Sequence, residues 1–143
     1  MIPLDGSGVP RNGWRFMSLA DNQDRDTFQR WLDKEIDIGQ RKGVEAAIRT
    51  TLRFLRFARK DLWREPHFRW FSGGVGEIRT DFGNVEYRPL GCNGPEPDQF
   101  TILIGACKKG KVWTPQDARK TAIKRRKELL DSPARGKKYA INL

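Results

Sequence analysis

The sequence predicts an α+β fold, and three observations carry that prediction. Apolar residues recur at spacings of three and four through residues 28–62, alternation with a period of two takes over at 75–90, and a continuous apolar run follows at 100–107. The implied order is β–α–α–β–β–β–α: an N-terminal helical hairpin packed on a small antiparallel sheet, closed by a C-terminal helix.

Residues 1–13 combine Pro, Gly and Ser without periodicity and read as a flexible lead-in. Trp14 to Leu19 is a short apolar run that reads as a first strand, and Asn22, Asp24 or Asp26 is placed to cap the helix after it. In that helix Phe28, Trp31, Leu32 and Ile36 share a face, and Gly39 ends it. A second helix starts near Gly43, with Val44, Ile48, Leu52, Leu55 and Leu62 on its buried side and Arg49, Arg53, Arg56 and Lys60 opposite. Two helices joined by about three residues pack as a hairpin, and Pro66 ends the pattern.

Beyond it Val75, Glu77, Arg79 and Asp81 alternate with Gly76, Ile78, Thr80 and Phe82, and a Gly83-Asn84 turn leads into Val85–Leu90, so the pair reads as a β-hairpin. A Gly- and Pro-rich loop, Gly91 to Asp98, precedes Phe100–Cys107, the most apolar run and the expected central strand. Thr114 as N-cap, Pro115 at the first helical position and Asp117 three residues after the cap predict the last helix. One domain spans 14–131, and a basic tail, 132–143, is expected to fray.

Lys and Arg number 28 against 18 Asp and Glu, a net charge of +10. Such an excess calls for an anionic partner, because cationic side chains neutralise phosphates and release condensed counterions. Cys92 and Cys107 form no CxxC pair and His67 is the single histidine, so no metal and no cofactor is expected. No apolar run approaches the ~20 residues of a membrane helix, which predicts a cytoplasmic protein without a membrane partner. Asp81-Phe82-Gly83 and Gly73-Gly74-Val75-Gly76 lack the context of a kinase or a phosphate-binding loop. No paired carboxylates, GxSxG or HExxH stand out.

What stands out is a basic set on the expected sheet. Arg79 and Arg88 lie on adjacent strands around the Gly83-Asn84 turn, and Lys108, Lys109 and Lys111 leave the next strand. Tyr87 and Trp113 flank them as rings on which bases could stack, and Lys124, Arg125 and Arg126 crown the last helix. Rigidly held cations stabilise the charge that develops in phosphoryl transfer. The competing readings are structural: Arg79 paired with Glu77 or Glu86, Tyr87 in the core, Trp113 stapling a helix start, and the lysines as a solvated turn.

Taken in order, Gly76-Glu77-Ile78-Arg79, Val85-Glu86-Tyr87-Arg88, the run from Ile102 to Lys109, Thr114-Pro115, and Ala118, Ala122, Arg125 and Arg126 resemble the RelE/HigB-type toxins, in particular a phage-derived HigB-like branch. The similarity covers residues 26–131. It implies a RelE-like fold related to small microbial ribonucleases, and an mRNA endoribonuclease that works without metal, typically on the ribosome. The implied partners are mRNA, the ribosome and a cognate antitoxin, often a helix-turn-helix protein. It further implies that Arg79, Arg88, Lys108 and Lys109 act on the scissile phosphate. Tyr87, Lys111, Trp113, Lys124, Arg125 and Arg126 would bind RNA. The alternatives are a non-catalytic nucleic-acid-binding protein of the same fold and a gyrase-targeting toxin.

Overall fold

A computed structural model describes residues 8–143. Its elements, in chain order, are β1 (Arg15–Ser18), α1 (Thr27–Glu35), α2 (Ile38–Arg56), β2 (Phe68–Trp70), β3 (Gly76–Ile78), β4 (Thr80–Phe82), β5 (Val85–Tyr87), β6 (Leu90–Asn93), β7 (Gln99–Ile104), β8 (Cys107–Lys109), β9 (Val112–Thr114), α3 (Ala118–Asp131) and β10 (Tyr139–Ala140). Among the described residues no helix is long and apolar enough to cross a membrane.

Three stretches of chain supply both sheets. Residues 76–82, 85–93 and 99–109 run side by side and break at one level, at Arg79, at Arg88-Pro89 and at Gly105-Ala106. The pairing continues through the break: Glu77 lies opposite Leu90 and Thr80 opposite Tyr87, and the Ile78 amide donates to the Pro89 carbonyl at 2.9 Å between them. On one side lies a six-stranded sheet, ordered β10-β1-β7-β6-β3-β2; on the other, a four-stranded sheet ordered β4-β5-β8-β9. The pair β1/β7 is parallel, with Phe16 opposite Phe100, and the remaining pairs are antiparallel.

These sheets overturn the expected small antiparallel sheet of a RelE-like fold. The α+β class stands, with three helices on a strand-rich body that is not RelE-like. Three extra strands come from segments not read as strands, Phe68–Trp70, Val112–Thr114 and the tail. Rather than fraying, the tail pairs Tyr139 with Ser18 and Ala140 with Met17, while Arg135 donates to the Ala20 carbonyl at 2.9 Å. Of the lead-in, residues 1–7 lie outside the described part, whereas Val9 is buried in the core.

Two helix boundaries move as well. Gly39 and Gly43 fall inside α2, which ends at Arg56 and leaves Leu62 on a short 3-10 turn. Beyond that end the Ala58 carbonyl, which a continuing helix would offer to Leu62, accepts two indoles, Trp14 Nε1 at 2.8 Å and Trp63 Nε1 at 3.1 Å. At the other end Thr114 belongs to β9, paired with Cys107, so α3 begins only at Ala118 and Asp117 occupies its cap. The predicted loop 91–98 is strand up to Asn93, where Asn93 pairs with Phe100.

α1 and α2 cover one face of the large sheet, burying Trp31, Leu32, Ile48 and Leu52 against Phe16, Phe68, Ile78 and Phe100. α3 covers the other with two small residues and one large, Ala118, Ala122 and Leu129, over Leu19, Leu90, Cys92 and Leu103. Small side chains let the helix approach the sheet closely. Where the break crosses the third stretch, Trp31 lies flat on Gly105: a Cβ there would fall 2.0 Å from its ring. That ring packs against Phe28 at 6.0 Å and Tyr87 at 6.2 Å, so making room for a methyl group disturbs both contacts. Gly105→Ala should therefore cost about 3 kcal/mol, the upper part of the overpacking range, as read from denaturant midpoints. Gly83→Ala, in open space but at φ +61°, should cost only about 1 kcal/mol.

Candidate nucleic-acid interface

The pleat of the four-stranded sheet decides which side chains share a face. Asp81 lies opposite Glu86, Glu86 opposite Lys108, and Lys108 opposite Trp113, so these four form one cross-strand row. Thr80, Tyr87, Cys107 and Thr114 belong to the other face, where Thr80 bonds Thr51 of α2 at 2.9 Å and Tyr87 packs edge-on to Trp31. Burial raises the Tyr87 phenol pKa. Tyr87 is thus a core residue, not a stacking platform.

Arg79 and Arg88 fall at the break, between strands rather than on them, and each guanidinium is already engaged. Arg88 is 2% exposed. Its Nη1 donates to the carbonyls of Thr80 (3.1 Å) and Tyr87 (2.9 Å), and its Nη2 donates to Asp81 Oδ1 (2.9 Å) and Glu86 Oε1 (3.1 Å). Arg79 pairs with buried Glu77 and, at 3.7 Å, with Glu65. Neither arginine stands free toward a ligand. Lys108 and Lys109 alternate along β8 and so point to opposite faces, and Lys111 is exposed beside the Gly110 turn.

Next to the row lies a patch in which cations and rings interleave. Lys108 Nζ sits 5.1 Å above the Trp113 ring, Trp113 meets Phe71 edge-on at 6.5 Å, and the Arg119 guanidinium lies 4.0 Å over Phe71. Arg69 approaches Phe71 from another side at 5.7 Å. Such contacts suit a base that stacks while its phosphate meets a cation. The arginines of α3 part company: Arg126 packs against Gly74, whereas Lys124 and Arg125 line a cavity on the helix's far side.

Asp81, Glu86, Phe71 and Arg119 escaped the sequence reading. The two carboxylates were legible in principle, since both are two residues from an arginine or its partner in a period-two segment. Phe71 and Arg119 come together only through the packing of α3. Among the described residues no group of His, Cys, Asp and Glu is arranged to hold a metal. Both cysteines are free, and burial pushes the Cys92 thiol up to about 11. His67 stacks on Phe54 at 4.0 Å.

Lys60, expected on a solvent face, instead enters an aromatic cluster. Its Nζ lies 3.9 Å over Trp63, 4.6 Å over Trp14 and 5.5 Å over Phe100, and it donates to Asn93 Oδ1. Burial lowers its pKa to about 7, while the ring faces favour the charged form. A scan of protein-family models, a search of curated proteins and a search of solved structures each return no match to this chain.

Two outcomes follow. Arg79→Ala strands the Glu77 carboxylate, which is 1% exposed, and should lower unfolding free energy by about 3 kcal/mol, with partial recovery in Arg79→Ala combined with Glu77→Gln. For Lys60, the folded pKa lies below the ordinary unfolded value, so the unfolded chain binds the extra proton between pH 7 and 10. Its contribution to stability therefore increases with pH across that window, and Lys60→Met should flatten the slope in urea titrations taken at successive pH values.

Proposed function

We propose that this protein cleaves RNA without a metal, as the cytoplasmic toxin of a toxin–antitoxin pair. One observation carries the reading: a carboxylate and a lysine, Glu86 and Lys108, stand opposite each other on a rigid sheet beside the Phe71–Trp113 ring patch. The ordered motifs shared with RelE/HigB-type toxins support the biological role, and the net charge of +10 supports an RNA substrate.

In this reading a base stacks on Trp113 and Phe71 and brings the adjacent phosphate to Lys108. Glu86 takes the proton of the ribose 2′-hydroxyl as its oxygen attacks phosphorus. The bond from phosphorus to the 5′-oxygen breaks, and the Lys108 ammonium gives that oxygen a proton. The products are a 2′,3′-cyclic phosphate and a 5′-hydroxyl. Arg88 holds Glu86 in place from below, through its bond at 3.1 Å, as a positioning residue, and Arg79 pairs with buried Glu77 at the corner. mRNA on the ribosome is the proposed substrate, and the proposed antitoxin covers the ring patch.

A second reading, RNA binding without cleavage, is favoured by the pairing of both sheet arginines with carboxylates, which leaves Lys108 as the row's one cation without a salt bridge among the described residues. Induced expression in bacteria with mapping of RNA 5′ ends separates the two. Cleavage predicts growth arrest and new 5′-hydroxyl ends. Glu86→Gln and Lys108→Ala should each cut the rate by about 10²-fold, Lys108→Ala with the melting temperature preserved and Glu86→Gln with a lower one, since Glu86 also pairs with buried Arg88. Trp113→Ala should weaken RNA binding by about 1–3 kcal/mol. Tight binding with intact transcripts would leave only the second reading.

A further inference from the structure

Two cavities open side by side at the carboxyl ends of β1 and β7, between α1 and α3, with volumes of about 310 and 440 Å³. Arg125 and Asp21 line both, so the two form one trough with Arg125 at its middle. Cys107 and Thr114 form part of the wall. Those residues alternate with Lys108 and Trp113 along β8 and β9, which places the trough on the opposite side of that hairpin from the RNA row.

The charges in the wall do not balance locally. Asp21 is engaged by Arg25 at 2.9 Å, and Glu128 by Arg135 at 3.5 Å. Among the described residues that leaves Arg30, Lys34, Lys120, Lys124 and Arg125 without a salt bridge, against Glu35 and Asp117. Arg125 is the telling one. It is half-buried, burial lowers its pKa against the pull of Glu128, Asp21 and Asp117 nearby, and among the described residues one of its five N–H donors is used, toward the Leu103 carbonyl at 2.9 Å, with no salt bridge to any of those carboxylates. A desolvated guanidinium facing a cavity is costly unless an anion meets it. The larger cavity adds an apolar wall of Trp31, Ile36 and Ile104, and the Thr27 hydroxyl there is buried without a hydrogen-bond partner.

We infer that this trough is a nucleotide site, in which Arg125 takes a phosphate at the centre, Arg30 and Lys34 or Lys120 and Lys124 take its neighbours, and the apolar wall receives the base. The ligand carries at least two phosphates in a row, because the cations extend to both sides of Arg125. A free nucleoside triphosphate and a short single strand share that chemistry. The site stands independently of the cleavage reading, since it uses none of the residues in the Asp81–Trp113 row.

Titration calorimetry with ATP, and separately with a tri-uridylate, on the full chain tests it. At least one probe should bind with one-to-one stoichiometry. Exposed Arg30 and Lys34 have no packing role, so Arg30→Glu with Lys34→Glu should fold normally and raise Kd at least tenfold; Arg125→Gln should do the same. Lys108→Gln should leave ATP affinity within twofold. Saturation by ATP identifies a free nucleotide as the occupant, and saturation by the tri-uridylate alone, weakened by the Arg30/Lys34 substitutions and not by Lys108→Gln, identifies a strand. The inference is overturned if neither probe saturates, if the Arg30/Lys34 variant binds as well as the parent, or if Lys108→Gln weakens the bound probe as much as that variant does.

Discussion

The shared break across three strands is the constraint on which the remaining architecture depends. At that level one strand carries Pro89, which has no amide hydrogen to continue the ladder, and its neighbour carries Gly105, whose missing side chain admits the flat of the Trp31 ring. The backbone turns there, and the two halves of each strand meet different surroundings. The inner halves are buried between α3 and the α1/α2 layer. The outer halves keep one face on α1 and α2 and present the other as a row of charges. A buried guanidinium sits at the corner and satisfies two backbone carbonyls as well as two carboxylates, which is the arrangement that makes a buried arginine tolerable.

The net positive charge is divided unevenly by this architecture. Cations at the corner and on β1 are matched: Arg79 with Glu77 and Glu65, Arg88 with Asp81 and Glu86, Arg15 with Asp98. Along α1 and α3 they are left unmatched, and there the walls of a trough concentrate them. Arg119 and Arg69 take a third arrangement, laid over a phenyl ring. Cations held by carboxylates stabilise the fold, whereas cations held by rings or by nothing are available to phosphate. The distinction separates Arg88, a corner of the structure, from Lys108, which lies over Trp113 without a salt bridge among the described residues.

Much of the middle of the chain was legible in order. Alternation from Val75 to Leu90 around Gly83-Asn84 specified a hairpin whose register places Arg79 across from Arg88. The apolar faces of Trp31, Leu32, Ile48 and Leu52 likewise specified helices. Boundaries were harder. Thr114-Pro115 carries the local signature of a helix start, yet pairing with Cys107 draws Thr114 into a strand, a tertiary contact that outweighs a capping preference of about 1 kcal/mol. Leu62 continues a helical period on paper, but the helix ends at Arg56, and beyond it two indoles occupy the Ala58 carbonyl.

By itself the sequence determined the α+β class, the hairpin around Gly83-Asn84, and the net charge of +10, because periodicity, turn chemistry and net charge are local or summed properties of the chain. Only the tertiary structure decided that the strands split into two sheets, that the tail closes one edge, and that Arg88 is buried among carboxylates while Arg125 faces a cavity. Those outcomes depend on which groups meet across long separations, and a charge has the same formal value in the sequence whether its neighbour is Glu86, the face of Phe71 or an open trough.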